Sequence, residues 1–194
     1  MKNAVIVSWI LAACLVCDGA EPTMSLPTPQ YVRQQADPGW LAYAAQFHGH
    51  LGPWATAGTR LGMAGRNAVG ARGYFDVRVT CEGPFQKPPK SCLLDGVQVA
   101  TGATLGKRNL RWVSRDAVAV QVENTRTGRK VEVRPTEYLL ELLGSLKPRP
   151  KVESAEHGDE DHDHDRQTQR LESIARRIAA LPDREILTVA PIDR

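Results

Sequence analysis

The sequence is short of the residues that usually announce a function. Its 194 residues include four cysteines, three methionines and only 6% aromatic side chains. No H-E-x-x-H, G-x-S-x-G or paired C-x-x-C occurs, which removes the common zinc proteases, serine hydrolases and zinc ribbons. No basic stretch is interleaved with aromatics, so nucleic acid is not an expected partner. No internal repeat is found. Beyond one apolar run at the N-terminus there is no long hydrophobic segment, which excludes a multi-span membrane protein. The 42% apolar and 24% charged residues exclude wholesale disorder. The length suits one domain with room for a core.

The charge that is present is unevenly placed. The net +3 hides a segment, 151–166, with seven acids against two bases, a net of −5 that leaves +8 on the remainder. A basic remainder suits phosphates or anionic cofactors. The acidic segment reads as a mobile loop inserted in the domain. Its His157, His162 and His164, set among aspartates and glutamates, either chelate divalent metals loosely or belong to a solvated charge run.

The N-terminus carries Lys2, an apolar run from Ala4 to Cys17 broken by Ser8, and then small residues up to Ala20. The run is short for a bilayer span and suits a cleaved signal peptide over 1–20, hence export to the periplasm or the exterior. Leu11-Ala12-Ala13-Cys14 offers a lipobox alternative, with Cys14 as a lipidated first residue and the lipid as the one membrane attachment. Cleavage after Ala20 leaves Cys81 and Cys92. These form a disulfide, or Cys92 remains a thiolate able to ligate or attack; spacing leaves both open.

Residues 21–37, with Pro22, Pro27 and Pro29, read as an extended leader into a core over 38–192. Helices are expected from Trp40 to Phe47, from Pro53 to Val69, from Cys92 to Thr101 behind an N-capping Ser91, from Glu137 to Leu146 and from Gln169 to Leu181. Strands are expected from Tyr74 to Thr80 and from Ile186 to Ile192, with a hairpin joining Ala117–Glu123 to Lys130–Arg134 through Thr125-Arg126-Thr127-Gly128. Gly58, Gly62 and Gly65 weaken the second helix, so they imply close approach of another backbone, from this chain or from a dimer mate. Irregularly interleaved helices and strands make the class α+β.

Three places carry chemistry. His48 and His50 flank Gly49, and a turn there can aim both imidazoles at one point for metal ligation or proton transfer; structural histidines are the plainer reading. Cys92, Asp95 and Gln98 follow at helical spacing on one polar stripe, with Cys92 in the first turn, where the dipole and free N–H groups favour a thiolate. Gly102 to Lys107 invites comparison with a P-loop. It has three residues between its glycines where four are needed, and Arg108 follows the lysine, so a nucleoside-triphosphate site is rejected. That loop either binds an anion or holds the Cys92 helix in place.

The run Phe47-His48-Gly49-His50-Leu51-Gly52-Pro53, and the longer run from Ser91 to Leu110 (SCLLDGVQVATGATLGKRNL), resemble the formylmethanofuran dehydrogenase E-subunit (FmdE) family. The resemblance implies an α+β core that pairs as a homodimer, with a metal pocket, usually a zinc site, lined by the two histidines and the cysteine. Carried over, it nominates His48, His50 and Cys92 as metal ligands, Cys92 and Asp95 as catalytic residues, and Gln98 and Lys107 as cofactor-binding residues. Three protein ligands would leave a fourth zinc position open for water or a small-molecule substrate. Ala103 stands where many relatives carry a second cysteine. An exported chain is also a poor fit to a working component of a cytoplasmic dehydrogenase, so the name describes ancestry more than activity. The leading expectation is an exported zinc protein acting on a small molecule. The alternative is a periplasmic metal carrier or sensor that uses the 157–164 tract.

Overall fold

Alternating valines build the sheet. The computed structural model describes residues 26–145 and 160–193. Val77, Val79 and Cys81 of β1 (Val77–Gly83) are fully buried. So are Val120 and Val122 of β3 (Ala119–Asn124) and Val133 of β4 (Lys130–Pro135). The residues between them face the other way and pair across strands: Arg78 Nη1 donates to Glu123 at 3.2 Å, and Gln121 Nε2 donates to Glu82 at 3.3 Å. This is the period-two pattern of a sheet with one packed and one wet face. With β2 (Leu110–Ser114) and β5 (Leu187–Pro191) the strand order is β2-β1-β3-β4-β5. Only β1 and β2 run parallel. A parallel pair needs a crossover, and the helix between them supplies it.

The helices are α1 (Gly39–His48), α2 (Pro53–Ala68), α3 (Cys92–Thr101), α4 (Glu137–Gly144), α5 (Glu160–Ala180) and α6 (Asp183–Ile186). The fold is therefore α+β. Helices α2 and α3 pack backbone to backbone. A methyl at Gly58 would overlap the Leu93 carbonyl, and one at Gly96 would overlap the Ala55 carbonyl; at Gly62 it would stand 2.7 Å from Ala100 Cβ. Gly65 rests on the sheet, 2.6 Å from Val122 Cγ2 by the same measure. The second backbone implied by the glycines thus belongs to this chain.

Helix α5 lies on α2, with Ile178 fully buried in the main core and Ala175 fully buried in a smaller cluster with Leu41, Ala45 and Leu51. Arg60 of α2, itself buried, reaches the end of α5 and donates to the carbonyls of Ile178, Ala179 and Leu181 and to Asp183, all at 2.6–2.8 Å. Carbonyls in the last turn of a helix, here those of Ile178 and Ala179, have no partner within it, and a guanidinium satisfies several at once.

Four expectations need correction. Tyr74–Asp76 is a single 3₁₀ turn, and the strand starts at Val77, because Tyr74 at φ 57° cannot extend. Strand β2 was not expected: it lies at the sheet edge and only Leu110 of it is buried, so it lacks a readable alternation. Helix α5 begins at Glu160, so 160–166 is helical and not part of a loop. Fourth, Ser91 does not cap α3 with its side chain, as detailed below. The signal segment with Cys14 and Ala20, the first leader residues and the stretch 146–159 with His157 lie outside the described residues.

The described part of the leader is extended but bound down. Gln30 makes a parallel bridge to His50, and its N–H donates to Gly49 O at 2.7 Å. Tyr31 OH donates to Asp37 at 2.7 Å, and Asp37 also receives Arg176 of α5 at 3.0 Å.

Candidate functional site

Helix α1 ends at His48 because Gly49 adopts φ 93°, a left-handed position that turns the chain at once toward α2. The turn brings the His48 and His50 rings to 4.6 Å, tilted by 43°. Both Nε2 atoms face the α-carbon of Gly52. A Cβ at that residue would lie 3.1 Å from His50 Nε2 and 3.2 Å from His48 Nε2, so glycine keeps the space between the imidazoles open.

Asp95 fixes the first imidazole: His48 Nδ1 donates to Asp95 Oδ2 at 2.7 Å. That hydrogen bond, then the neighbouring Cys92, outweigh burial and raise the His48 pKa to about 9. Burial, followed by the charge of His48, lowers that of His50 against the pull of Glu172 on α5. His50 is thus held toward its neutral, ligating form. His48 Nε2 is buried with no hydrogen-bond partner, and it is the one such side-chain atom among the described residues. An imidazole oriented by a carboxylate on one nitrogen and left unpartnered on the other is the usual disposition of a metal-ligating histidine.

Cys92 opens α3 and lines, with His48, Asp95 and Gln98, a cavity of about 460 Å³. The spacing of the polar stripe therefore brings these side chains onto one wall. The capping argument fails, however. Ser91 is in a helical conformation, and the N–H groups of Cys92, Leu93 and Leu94 donate to the carbonyls of Pro89, Lys90 and Ser91. A preceding turn uses the donors that a thiolate would have needed, leaving the dipole and His48 as its neighbours. Both cysteines among the described residues, Cys81 and Cys92, are free. Cys81 is a core residue of β1, where burial pushes its thiol up to about 12.

Among the described residues, no three His, Cys, Asp or Glu side chains are already gathered to hold a metal ion. The two imidazoles converge, and the thiol stands beside His48. Lys107 is outside the cavity, with Nζ 5.9 Å from the centre of the Phe75 ring. Its loop is an anchor: Gly102 at φ 68° ends α3, Thr104 N–H donates to Asn109 Oδ1 at 3.0 Å, and Asn109 Nδ2 donates to Val77 O at 2.9 Å. Trp112, Leu105 and Leu110 also line the cavity and were missed with β2. The spacing of Leu110 and Trp112, two apart, was the available signal. The tract at 160–164 is described only as helical backbone, so the metal-carrier reading gains nothing from it.

Comparison with known proteins points one way. A crystal structure of a tungsten formylmethanofuran dehydrogenase FmdE-like protein from Syntrophus aciditrophicus superposes with a TM-score of 0.51 at 19% identity, covering 84% of this chain and 77% of that one, a likeness of fold. A probable S-adenosyl-L-methionine-binding protein of Archaeoglobus fulgidus is 30% identical over 93 residues. Those residues are 48% of this chain, which spans about a quarter (25%) of that relative's length. The family model described as FmdE, Molybdenum formylmethanofuran dehydrogenase operon, matches residues 47–188, from the histidine pair into β5, and the chain belongs to that FmdE family.

Proposed function

We propose that this FmdE-family chain is an exported, homodimeric metal-binding protein that holds one divalent ion, zinc, on His48, His50 and Cys92. The observation that carries the reading is the buried, unpartnered Nε2 of His48, whose other nitrogen is tied to Asp95. Two imidazoles and a thiol form a donor set of borderline softness, which suits zinc better than magnesium or calcium. Cys92 stands beside His48 on the wall of the same cavity. The ion would supply Lewis-acid polarisation of a substrate oxygen, or a bound water of lowered pKa.

The chain's own residues set the stage for that chemistry. Asp95 holds the His48 ring in place and stabilises its positive charge when no metal is bound, so metal uptake must displace a proton. Gly52 leaves the space beside both Nε2 atoms free of a side chain. The cavity beside Cys92 gives a small molecule room next to the ligands. Zinc analysis of protein purified without a nickel column tests the assignment. Wild type should carry about one ion per chain, and His48→Ala and Cys92→Ala should each retain under about a tenth of that. Equal zinc in wild type and Cys92→Ala would overturn it.

A further inference from the structure

The cavity beside Cys92 has a second wall that metal chemistry does not need. Trp112 is fixed there: its indole N–H donates to Gly83 O at 3.0 Å, and Phe85 sits at 6.4 Å, tilted by 57°. Despite that anchoring the Trp112 side chain remains 41% exposed, and Leu105 beside it is 73% exposed. A held aromatic plane next to an uncovered leucine is a surface on which a flat apolar body gains area without ordering the protein.

The facing wall is the polar stripe of α3. Gln98, six residues after Cys92, is half-buried, and its side-chain amide is engaged by no other described residue. Six residues of helix rise about 9 Å. The cavity therefore offers an amide at one end, the thiol and His48 at the other, and an apolar plane between them. Besides His48 at the far end, the one cation on its wall is Arg111, whose Nε donates to Thr80 Oγ1 at 2.8 Å, on the residue that Arg111 faces across the parallel pair. No lysine lines the space. With Arg111 turned toward Thr80, a phosphate or carboxylate at the Gln98 end would enter without a dedicated partner.

We propose that this cavity takes a small uncharged molecule with a flat aromatic body and one carboxamide- or carbonyl-type group. The body lies on Trp112 between Leu105 and Leu110, and the polar group pairs with the Gln98 amide. This points the other end of the molecule, about 9 Å away, at Cys92 and His48. Gln98 and Trp112 become the residues that set specificity. The inference rests on the proposed metal site only for what happens at that far end.

Saturation-transfer NMR titration with naphthalene-2-carboxamide, and separately with naphthalene-2-carboxylate, tests it on the full chain as isolated and after chelator treatment. The carboxamide should bind both preparations, and Trp112→Ala and Gln98→Leu should each weaken it about tenfold. Trp112→Phe should restore most of the binding, which separates a lost aromatic plane from a damaged fold. Carboxamide binding that persists in chelator-treated protein supports this inference whatever becomes of the metal. No binding by wild type, or binding indifferent to both Trp112→Ala and Gln98→Leu, would overturn it. Carboxylate binding tighter than that of the carboxamide and weakened by Gln98→Leu would overturn the uncharged class.

Discussion

Replacing Gly96 by alanine puts the packing of the site's two main helices to the test. In an isolated helix the change gains about 1 kcal/mol, because glycine is the poorer helix former. Here the new methyl would meet the Ala55 carbonyl, with the carbonyl carbon at 2.9 Å and Thr59 N at 2.5 Å. These are backbone atoms of α2 and cannot rotate away, so α2 and α3 must separate. Overpacking typically costs about 1–3 kcal/mol, and a clash between two backbones belongs at the top of that range, leaving a net loss of about 2 kcal/mol. For a domain of this size that is roughly a 4–8 °C fall in Tm. Gly144→Ala is the control, since nothing lies within 4 Å of a Cβ there. It should be neutral or slightly stabilising in the same urea and thermal melts. Asp95 adjoins Gly96, so Gly96→Ala should also disturb the His48–Asp95 bond and lower metal content. A Gly96→Ala protein as stable as Gly144→Ala would refute the backbone-to-backbone contact.

Other outcomes follow from the same structure. Asp95→Ala should weaken zinc binding about 10- to 100-fold in a competition titration while the ligands remain, the usual cost of losing a carboxylate behind a ligating histidine. Arg60→Met leaves the carbonyls of Ile178, Ala179 and Leu181 without their donor and should cost roughly 3 kcal/mol in urea unfolding. Burial pushes the Asp37 carboxyl up, but Gln34 N–H, Tyr31 OH and Arg176 overcome it and hold the group below its ordinary value. A depressed folded-state pKa means its contribution is complete above the unfolded value of about 4 and disappears as pH falls through the folded value. Wild type should therefore lose stability more steeply below about pH 4 than Asp37→Asn does, as read from Tm against pH; parallel curves would exclude the Asp37 linkage.

Much of the site could be read from residue spacing. Cys92 to Thr101 is a helix between the expected ends, and Cys92, Asp95 and Gln98 share a cavity wall because i, i+3 and i+6 fall on one face. The glycines of α2 signalled close packing, and their partner, α3, is the helix bearing Cys92. What escaped depends on contacts distant in sequence. Ser91 has the composition of a cap, but the turn from Pro89 to Ser91 supplies carbonyls to the same donors, and no local rule ranks the two. Strand β2 shows itself only through its register with β1, so Trp112 and the apolar wall were hidden along with it. Arg60 and Asp37 look like ordinary surface charges in the sequence, and become buried links to α5 only when residues more than a hundred positions away fold against them.

The central claim, a metal held by His48, His50 and Cys92, is tested most directly by zinc K-edge X-ray absorption on protein isolated without added metal. The account predicts one sulfur scatterer near ~2.3 Å and nitrogen scatterers near ~2.0 Å, with the sulfur shell absent in Cys92→Ser. A bound metal with only oxygen and nitrogen neighbours in the wild-type protein, or a sulfur shell that persists in Cys92→Ser, would contradict it.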